Sequence, residues 1–353
     1  MLPYGDLGLL PDRPSQAKLQ ELRNAVQNWL TTGPGAPARA MALEDSSRSY
    51  EPRVFLRGNP NNLGEGVPRR FLAILSGTKR EPFHDGGGRL DLARAIARRD
   101  NPLTARAIVN RVWMHHFGTP LVATPGDFGL RSEAPTHPGL LDHLASRFIE
   151  EGWSIKSLHR RMMLSSTYQQ RSDDRRAARA QDPENALYWR ANRRRLDLEA
   201  TRDALLAVSG RLSGRLGGPP MPSLTGTESR RTIYGFVDRL NLPGLYRTFD
   251  FPDPSTTSPR RDQTTVAPQA LFLMNHPLMT EICRSVLARP DIASMSDARS
   301  KVGRLFLLVY GRPPSEDELT TIRRFLGEPP VDQRRWQSFV QAILMSNEFV
   351  FVD

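Results

Sequence analysis

NPLTARAIVNRVWMHHFG, residues Asn101–Gly118, is the stretch that decides the fold. Asn101 can cap a helix, and Pro102 suits a first helical position, where its missing N–H is no loss. Apolar residues then recur at helical spacing: Ile108 or Val109, Val112, Trp113 and Phe117. Gly118 supplies the stop. The same design returns in THPGLLDHLASRFIEEG, Thr136–Gly152. There Thr136 caps, Pro138 sits early, Leu141, Leu144, Phe148 and Ile149 pack, and Gly152 closes. LDLEATRDALLAVSGRL, Leu196–Leu212, is the strongest helical pattern in the chain. The spacing predicts a mainly α fold, an irregular multi-helix domain with one or two short strands and long ordered loops.

Outward from that core, Ser15–Leu30 reads as an amphipathic helix capped by Ser15. Ser154–Tyr168 reads as another, and Asp182 is placed to cap a helix starting near Pro183. Val266–Arg289 reads as helical with a break at Pro277, and the helix that follows ends at Gly311. Ser315 and Glu318 match a capping box, and Arg335–Met345 is the last helix. Val54 opens a short strand, RTIYGFVDR (Arg231–Arg239) alternates as the one convincing strand, and EFVFVD ends the chain extended. Gly86–Gly88 read as a flexible hinge. The expected organisation is an N-terminal helix and linker remnant over 1–53, an extended lead-in over 54–88, and a main helical domain over 89–353, with a sub-division near 215–230.

The chain has 353 residues, 39% of them hydrophobic, which suffices for a substantial core. Its formal charge is +11, carried by 45 arginines and four lysines. Such an excess attracts anions: nucleic acid, acidic lipid or anionic polysaccharide. The arginines are spread along the chain, with no basic tail and no basic–aromatic ladder, so nucleic acid is the less expected partner. Cys283 is the single cysteine, so an internal disulfide, a CxxC zinc pair and a CxxCH haem attachment are all excluded; no cofactor is expected. The first residues, MLPYGDLGLLPDRP, lack the pattern of a signal peptide, and no apolar run reaches membrane-spanning length.

Candidate chemistry gathers in two places. Five of the seven histidines lie between positions 115 and 159, without the HxxxH spacing of a helical metal site, so no metal is expected. His115 and His116 are adjacent and point roughly 100° apart on a helix. They are candidates for proton transfer, against the alternative of surface or hydrogen-bonded core histidines. Arg111, on the same helix, and Asp127 and Arg131, in the loop that follows, form either a buried ion-paired cluster or an anion pocket. The second place is FDFPDPSTTSPRR, Phe249–Arg261. Asp250 and Asp253 are held among prolines and could act as an acid/base pair. Arg260 and Arg261 could bind anions, or neutralise the two acids in a salt-bridged corner. There is no GxSxG, P-loop or GxGxxG signature.

Long ordered motifs carry a family resemblance. They are Asp100–Gln170, Asp182–Leu212, FDFPDPSTTSPRRDQTTVAPQALFLMNH (Phe249–His276), YGRPPSEDEL (Tyr310–Leu319) and SNEF (Ser346–Phe349), with RGNPNNLGEGVPRRFL (Arg57–Leu72) ahead of them. Over roughly Val54–Asp353 the chain resembles the uncharacterised C-terminal domain of planctomycete cytochrome-c-associated proteins. The resemblance implies an exported or periplasmic multidomain setting, a c-type cytochrome-bearing protein or domain as partner, and an association with carbohydrate. Three roles follow as expectations: binding or processing of an anionic glycan, a structural or protein-docking module, and nucleic-acid binding through arginines. Whether the chain is an enzyme stays open at this point.

Overall fold

The structure is a computed structural model, and it describes residues 12–36, 42–45, 50–77, 80–225 and 228–352. The readings made on the first eleven residues, on part of the 31–40 linker and on part of the 215–230 boundary lie outside the described residues. The chain divides into two compact units, Met1–Arg98 and Arg99–Asp353.

The first unit begins with α1 (Arg13–Thr32). Asp12, not Ser15, is its cap: the Asp12 carboxylate accepts the Ser15 N–H at 2.8 Å. β1 (Arg53–Phe55) and β2 (Leu63–Gly66) pair antiparallel, so the strand expected at Val54 is present. α2 (Ala73–Ser76) and α3 (Arg89–Ile96) complete the unit. The expected hinge at Gly86–Gly88 is a turn clasped by a side chain, because the Asp45 carboxylate accepts the Gly87 N–H at 2.7 Å.

The regular elements of the second unit are almost all helices, joined by long loops. Its first half holds α4 (Thr104–Phe117), α5 (Pro138–Glu150), α6 (Ile155–Met163) and α7 (Arg176–Gln181). β3 (Arg194–Arg195), α8 (Leu198–Val208) and α9 (Gly244–Thr248) follow. The second half holds α10 (Ala267–Asn275), α11 (Pro277–Leu287), α12 (Pro290–Ala293), α13 (Ala298–Val309), α14 (Glu316–Leu326), α15 (Gln333–Met345), α16 (Asn347–Val350) and β4 (Phe351–Val352). The fold is mainly α with two small two-stranded sheets among the described residues, as the sequence pattern predicts. None of the described helices is long and apolar enough to cross a membrane.

Burial of apolar stripes holds these helices together. One core packs α4, α5 and α6 through Val109, Trp113, Phe117, Leu141, Phe148 and Leu158. A second core joins α8 to α11, α13 and α15 through Leu205, Leu206, Ile282, Val286, Leu305 and Val340. A third, smaller one collects Leu198, Met221, Leu224, Leu242, Tyr246 and Phe249 under the loops between α8 and α10. Asn110, fully buried in α4, pins the chain beyond that helix: its amide accepts the Val122 N–H at 2.9 Å and donates to the Val122 carbonyl at 3.2 Å.

Several local readings are corrected. RTIYGFVDR is not a strand. Thr232–Tyr234 form a 3-10 turn, closed by the Gly235 N–H on the Thr232 carbonyl at 2.8 Å, and one isolated bridge from Gly235 to Met221 is the extent of its pairing. Asp182 does not start a helix but follows one. It sits after α7, and its two oxygens accept the N–H groups of Ala186 and Leu187 at 2.9 and 2.8 Å, which folds the 182–188 segment into turns. α4 starts at Thr104 behind Leu103, past the expected Asn101 cap and Pro102, and His137 rather than Thr136 precedes α5. The Ser315–Glu318 capping box forms, Pro138 opens α5, and the Pro277 break separates α10 from α11.

Candidate functional site

One cavity of about 960 Å³ opens in the second unit where α4, β3, the start of α8 and the 249–264 loop converge. Its wall includes Arg111 and His115 from α4, Arg194 and Arg195 from β3, and Asp250, Arg260 and Arg261 from the loop. Five of the nine residues singled out in the sequence therefore meet at one place.

Local structure explains the convergence. Gly118 ends α4 with φ of 82°, a conformation glycine adopts freely, and a Cβ there would lie 2.8 Å from the Arg194 side chain. The helix end and β3 can approach only because that position is bare. Arg194 then donates to the His115 carbonyl, which locks β3 to the last turn of α4. β3 itself is held by β4, with Arg194 opposite Val352 and Arg195 opposite Phe351. Immediately after β3, the Asp197 carboxylate caps α8 by accepting the Ala200 N–H at 2.8 Å.

Asp250 holds the opposite wall. It has φ of 57°, unusual for a residue with a side chain. Its carboxylate accepts the Thr264 N–H at 2.8 Å and the Thr264 hydroxyl at 2.8 Å. The buried Gln269 amide lies 3.4 Å from the same carboxylate and donates to the Thr248 carbonyl at 2.9 Å. These contacts pull the loop back on itself and hold the strained backbone. Asp250 therefore shares the cavity with His115 but serves as a clasp, its oxygens committed to Thr264.

The arginines are not equivalent. Arg261 forms a two-pronged ion pair with Glu199 of α8, both distances 2.8 Å, and lies over the Phe251 ring. That pair raises its pKa further. The corner is thus salt-bridged, but to α8 rather than to the loop's own acids. Arg195 donates to the Thr264 carbonyl at 3.1 Å; burial lowers its pKa, and Asp250 offsets only part of that. Arg194 is hydrogen-bonded to a neutral carbonyl. Arg111 and Arg260 have no acid partner among the described residues, although both line the cavity. Partial desolvation by the cavity wall, reinforced by Arg194, Arg111 and Arg261, lowers the pKa of His115 against the opposing pull of Asp197. At neutral pH the ring is therefore uncharged among cations.

A family model described as PSD1, protein of unknown function (DUF1553), matches residues 88–326. The chain belongs to the PSD1 family. Neither the curated proteins nor the solved structures give a match.

In this PSD1 domain the remaining candidates fall outside the main cavity. Asp253 is exposed and closes a turn, accepting the Ser255 N–H at 2.8 Å and its hydroxyl at 2.6 Å, which lowers its pKa. Asp127 accepts the Gly129 N–H at 2.8 Å in the loop after α4, and Arg131 is exposed nearby. Neither contacts Arg111 in an ion pair among those described, so the buried cluster expected there is replaced by the Asn110 contacts. That loop still touches the cavity rim, since a Cβ on Gly126 would lie 2.9 Å from Pro259. Arg194, Arg195, Asp197, Glu199 and Thr264 were not anticipated. The RRR run at 193–195, directly before the Asp197 cap, is the signal that could have found the first three.

His116 points to the other side of Arg194, into a smaller cavity of about 90 Å³ shared with Tyr168 and Tyr188. Its Nε2 lies 2.6 Å from His159 Nδ1, so one ring donates and the other accepts. Among the described residues no three His, Cys, Asp or Glu side chains gather as a metal site would need. Burial first, then His159, Arg194 and His115, lower the His116 pKa below its ordinary 6.5. His115 and His276 shift the same way. A base with a lowered folded-state pKa binds its proton more readily in the unfolded chain. Stability is therefore full above about pH 6.5 and declines as the pH falls through the folded-state values. Urea midpoints are expected to drop between pH 7.5 and 5.5, and His116→Gln to reduce that drop; identical pH dependence in the variant would contradict the assignment.

Proposed function

We propose that the cavity is an anion-binding site for an anionic group carried on a larger polar molecule, with an anionic polysaccharide segment as the ligand class. The observation that carries this reading is the pair of arginines, Arg111 and Arg260, that face the cavity without a carboxylate partner among the described residues. Unpaired guanidinium groups on the cavity wall favour an oxyanion, which accepts their forked donors. Arg194 adds a third such group, because its partner is a carbonyl and leaves its charge uncompensated. The volume of about 960 Å³ exceeds what a lone inorganic anion fills and lies at the upper end of small-molecule sites.

The test is a titration of the chain at low ionic strength with carboxylated, sulfated, phosphorylated and neutral oligosaccharides. Saturable binding of anionic members, weakened by salt and absent for neutral ones, is expected. No binding to any anionic member would end the reading. Docking to a c-type cytochrome-bearing partner, and an exported or periplasmic setting, stand as proposals carried by the resemblance alone. Nucleic acid is the less favoured ligand, since the arginines are spread along the chain with no basic tail and no basic–aromatic ladder.

A further inference from the structure

His115 is the one histidine on the wall of the main cavity. Its backbone carbonyl is engaged by Arg194, while its ring has no hydrogen-bond or ion-pair partner among the described residues. The ring is exposed to the cavity and shares it with Arg111, Arg194 and Arg260, whose charges no carboxylate neutralises by pairing. Of the three carboxylates on the same wall, Asp262 is exposed, and the other two are less suited to attack. Asp250 is held by Thr264, and Asp197 caps α8 and lies 3.7 Å from Arg261.

We propose that His115 is a nucleophile that accepts the phosphoryl group of a phosphomonoester held by Arg111, Arg194 and Arg260. The proposal rests on the anion-binding reading above and names its substrate class. Three unneutralised guanidinium groups suit a doubly charged oxyanion better than a carboxylate, and they would stabilise charge on the equatorial oxygens during transfer. The neutral imidazole keeps a lone pair available; burial first, then Arg194 and Arg111, disfavour its protonation. A second base is not needed for attack, because the ring nitrogen itself forms the bond.

The chemistry balances in two steps. In the first, an imidazole nitrogen of His115 forms a bond to phosphorus as the ester P–O bond breaks. The electron pair of that bond leaves on the ester oxygen, which takes a proton from solvent. In the second, a water oxygen attacks phosphorus, the N–P bond breaks, and its electron pair returns to the ring. The protons of water leave with inorganic phosphate and solvent. The sum is ester plus water giving alcohol plus phosphate, with no oxidation or reduction.

The experiment uses the full chain with p-nitrophenyl phosphate, whose leaving group departs without needing a proton. Three readouts are taken: release of nitrophenolate, intact mass with peptide mapping after rapid quenching in alkali, and binding of inorganic phosphate by calorimetry. The expected result is saturable turnover and an acid-labile, alkali-stable phosphoryl group on the peptide containing His115. In His115→Gln both signals are expected to fall to the level of buffer alone, while phosphate binding stays within about threefold of the parent, because the arginines carry it. Phosphate binding without label or turnover would overturn the nucleophile assignment and leave the anion reading standing. Label on another residue, or turnover unchanged in His115→Gln, would likewise overturn it. Absence of phosphate binding would overturn the phosphomonoester proposal, while the oligosaccharide titration decides the anion reading by itself.

Discussion

Arg202→Ala is expected to cost the second unit about 4 kcal/mol of stability, from the loss of four hydrogen bonds to a buried guanidinium. Arg202 lies on α8 and is only 2% exposed. Its Nε donates to the Leu224 carbonyl at 2.8 Å, and its Nη1 to the Arg230 carbonyl at 3.0 Å and the Thr232 hydroxyl at 3.2 Å. Its Nη2 donates to the Glu228 carbonyl at 2.6 Å. Asp203, the next residue, receives the Thr232 N–H and hydroxyl, both at 2.7 Å. Helix α8 thus holds the chain on either side of residue 230 by charge rather than by strand pairing. Removing the side chain leaves buried acceptors without donors, each costing on the order of 1 kcal/mol or more, and a cavity besides. Domains are stable by only about 5–15 kcal/mol, so this is a large fraction. Chemical denaturation followed by circular dichroism measures it. A loss under about 1 kcal/mol would mean that water replaces the guanidinium at little cost.

The second large effect concerns the ligand. The double substitution Arg111→Ala with Arg260→Ala is expected to weaken anion binding roughly 100-fold, from about 1.5 kcal/mol for each charge-assisted contact. Folding should be little affected, since neither side chain has an acid partner among the described residues and both are exposed. The contrast with Arg261 sharpens the test. Arg261→Ala breaks the Glu199 pair that ties the loop to α8, so it should lower stability as well as affinity. Isothermal titration of the three chains with the same anionic saccharide separates the cases. Equal affinity in the parent and the double variant would mean that the anion sits elsewhere.

Much of the architecture was legible because it rests on local patterns. The apolar spacing in Asn101–Gly118 and Thr136–Gly152, and the Ser315–Glu318 box, depend on residues a turn or two apart. The site was half legible for the opposite reason. His115 and Arg111 stand out on α4, and the prolines flag the loop around Asp250, but nothing in the sequence brings the two together. Arg261 finds its acid in Glu199, 62 positions away. Arg202 was invisible as a buried cation in a chain with 45 arginines, most of which read as solvated. RTIYGFVDR misled because alternation of apolar residues also suits a 3-10 turn lying on a core. There Tyr234 and Val237 pack against the cluster around Met221 and Tyr246.

Membership in the PSD1 family brings no reaction with it, so the account stands on the cavity. The proposed site holds an anion among Arg111, Arg194 and Arg260, beside His115. The most direct measurement is nuclear magnetic resonance of the histidine ring signals while inorganic phosphate is added at constant ionic strength. A saturable shift of the His115 signal and a rise in its pKa are expected, because a bound anion offsets Arg194 and Arg111, which add to burial in lowering it. His276, which does not line the cavity, should be unaffected. A His115 signal that drifts without saturation, or moves no more than that of His276, would contradict the claim.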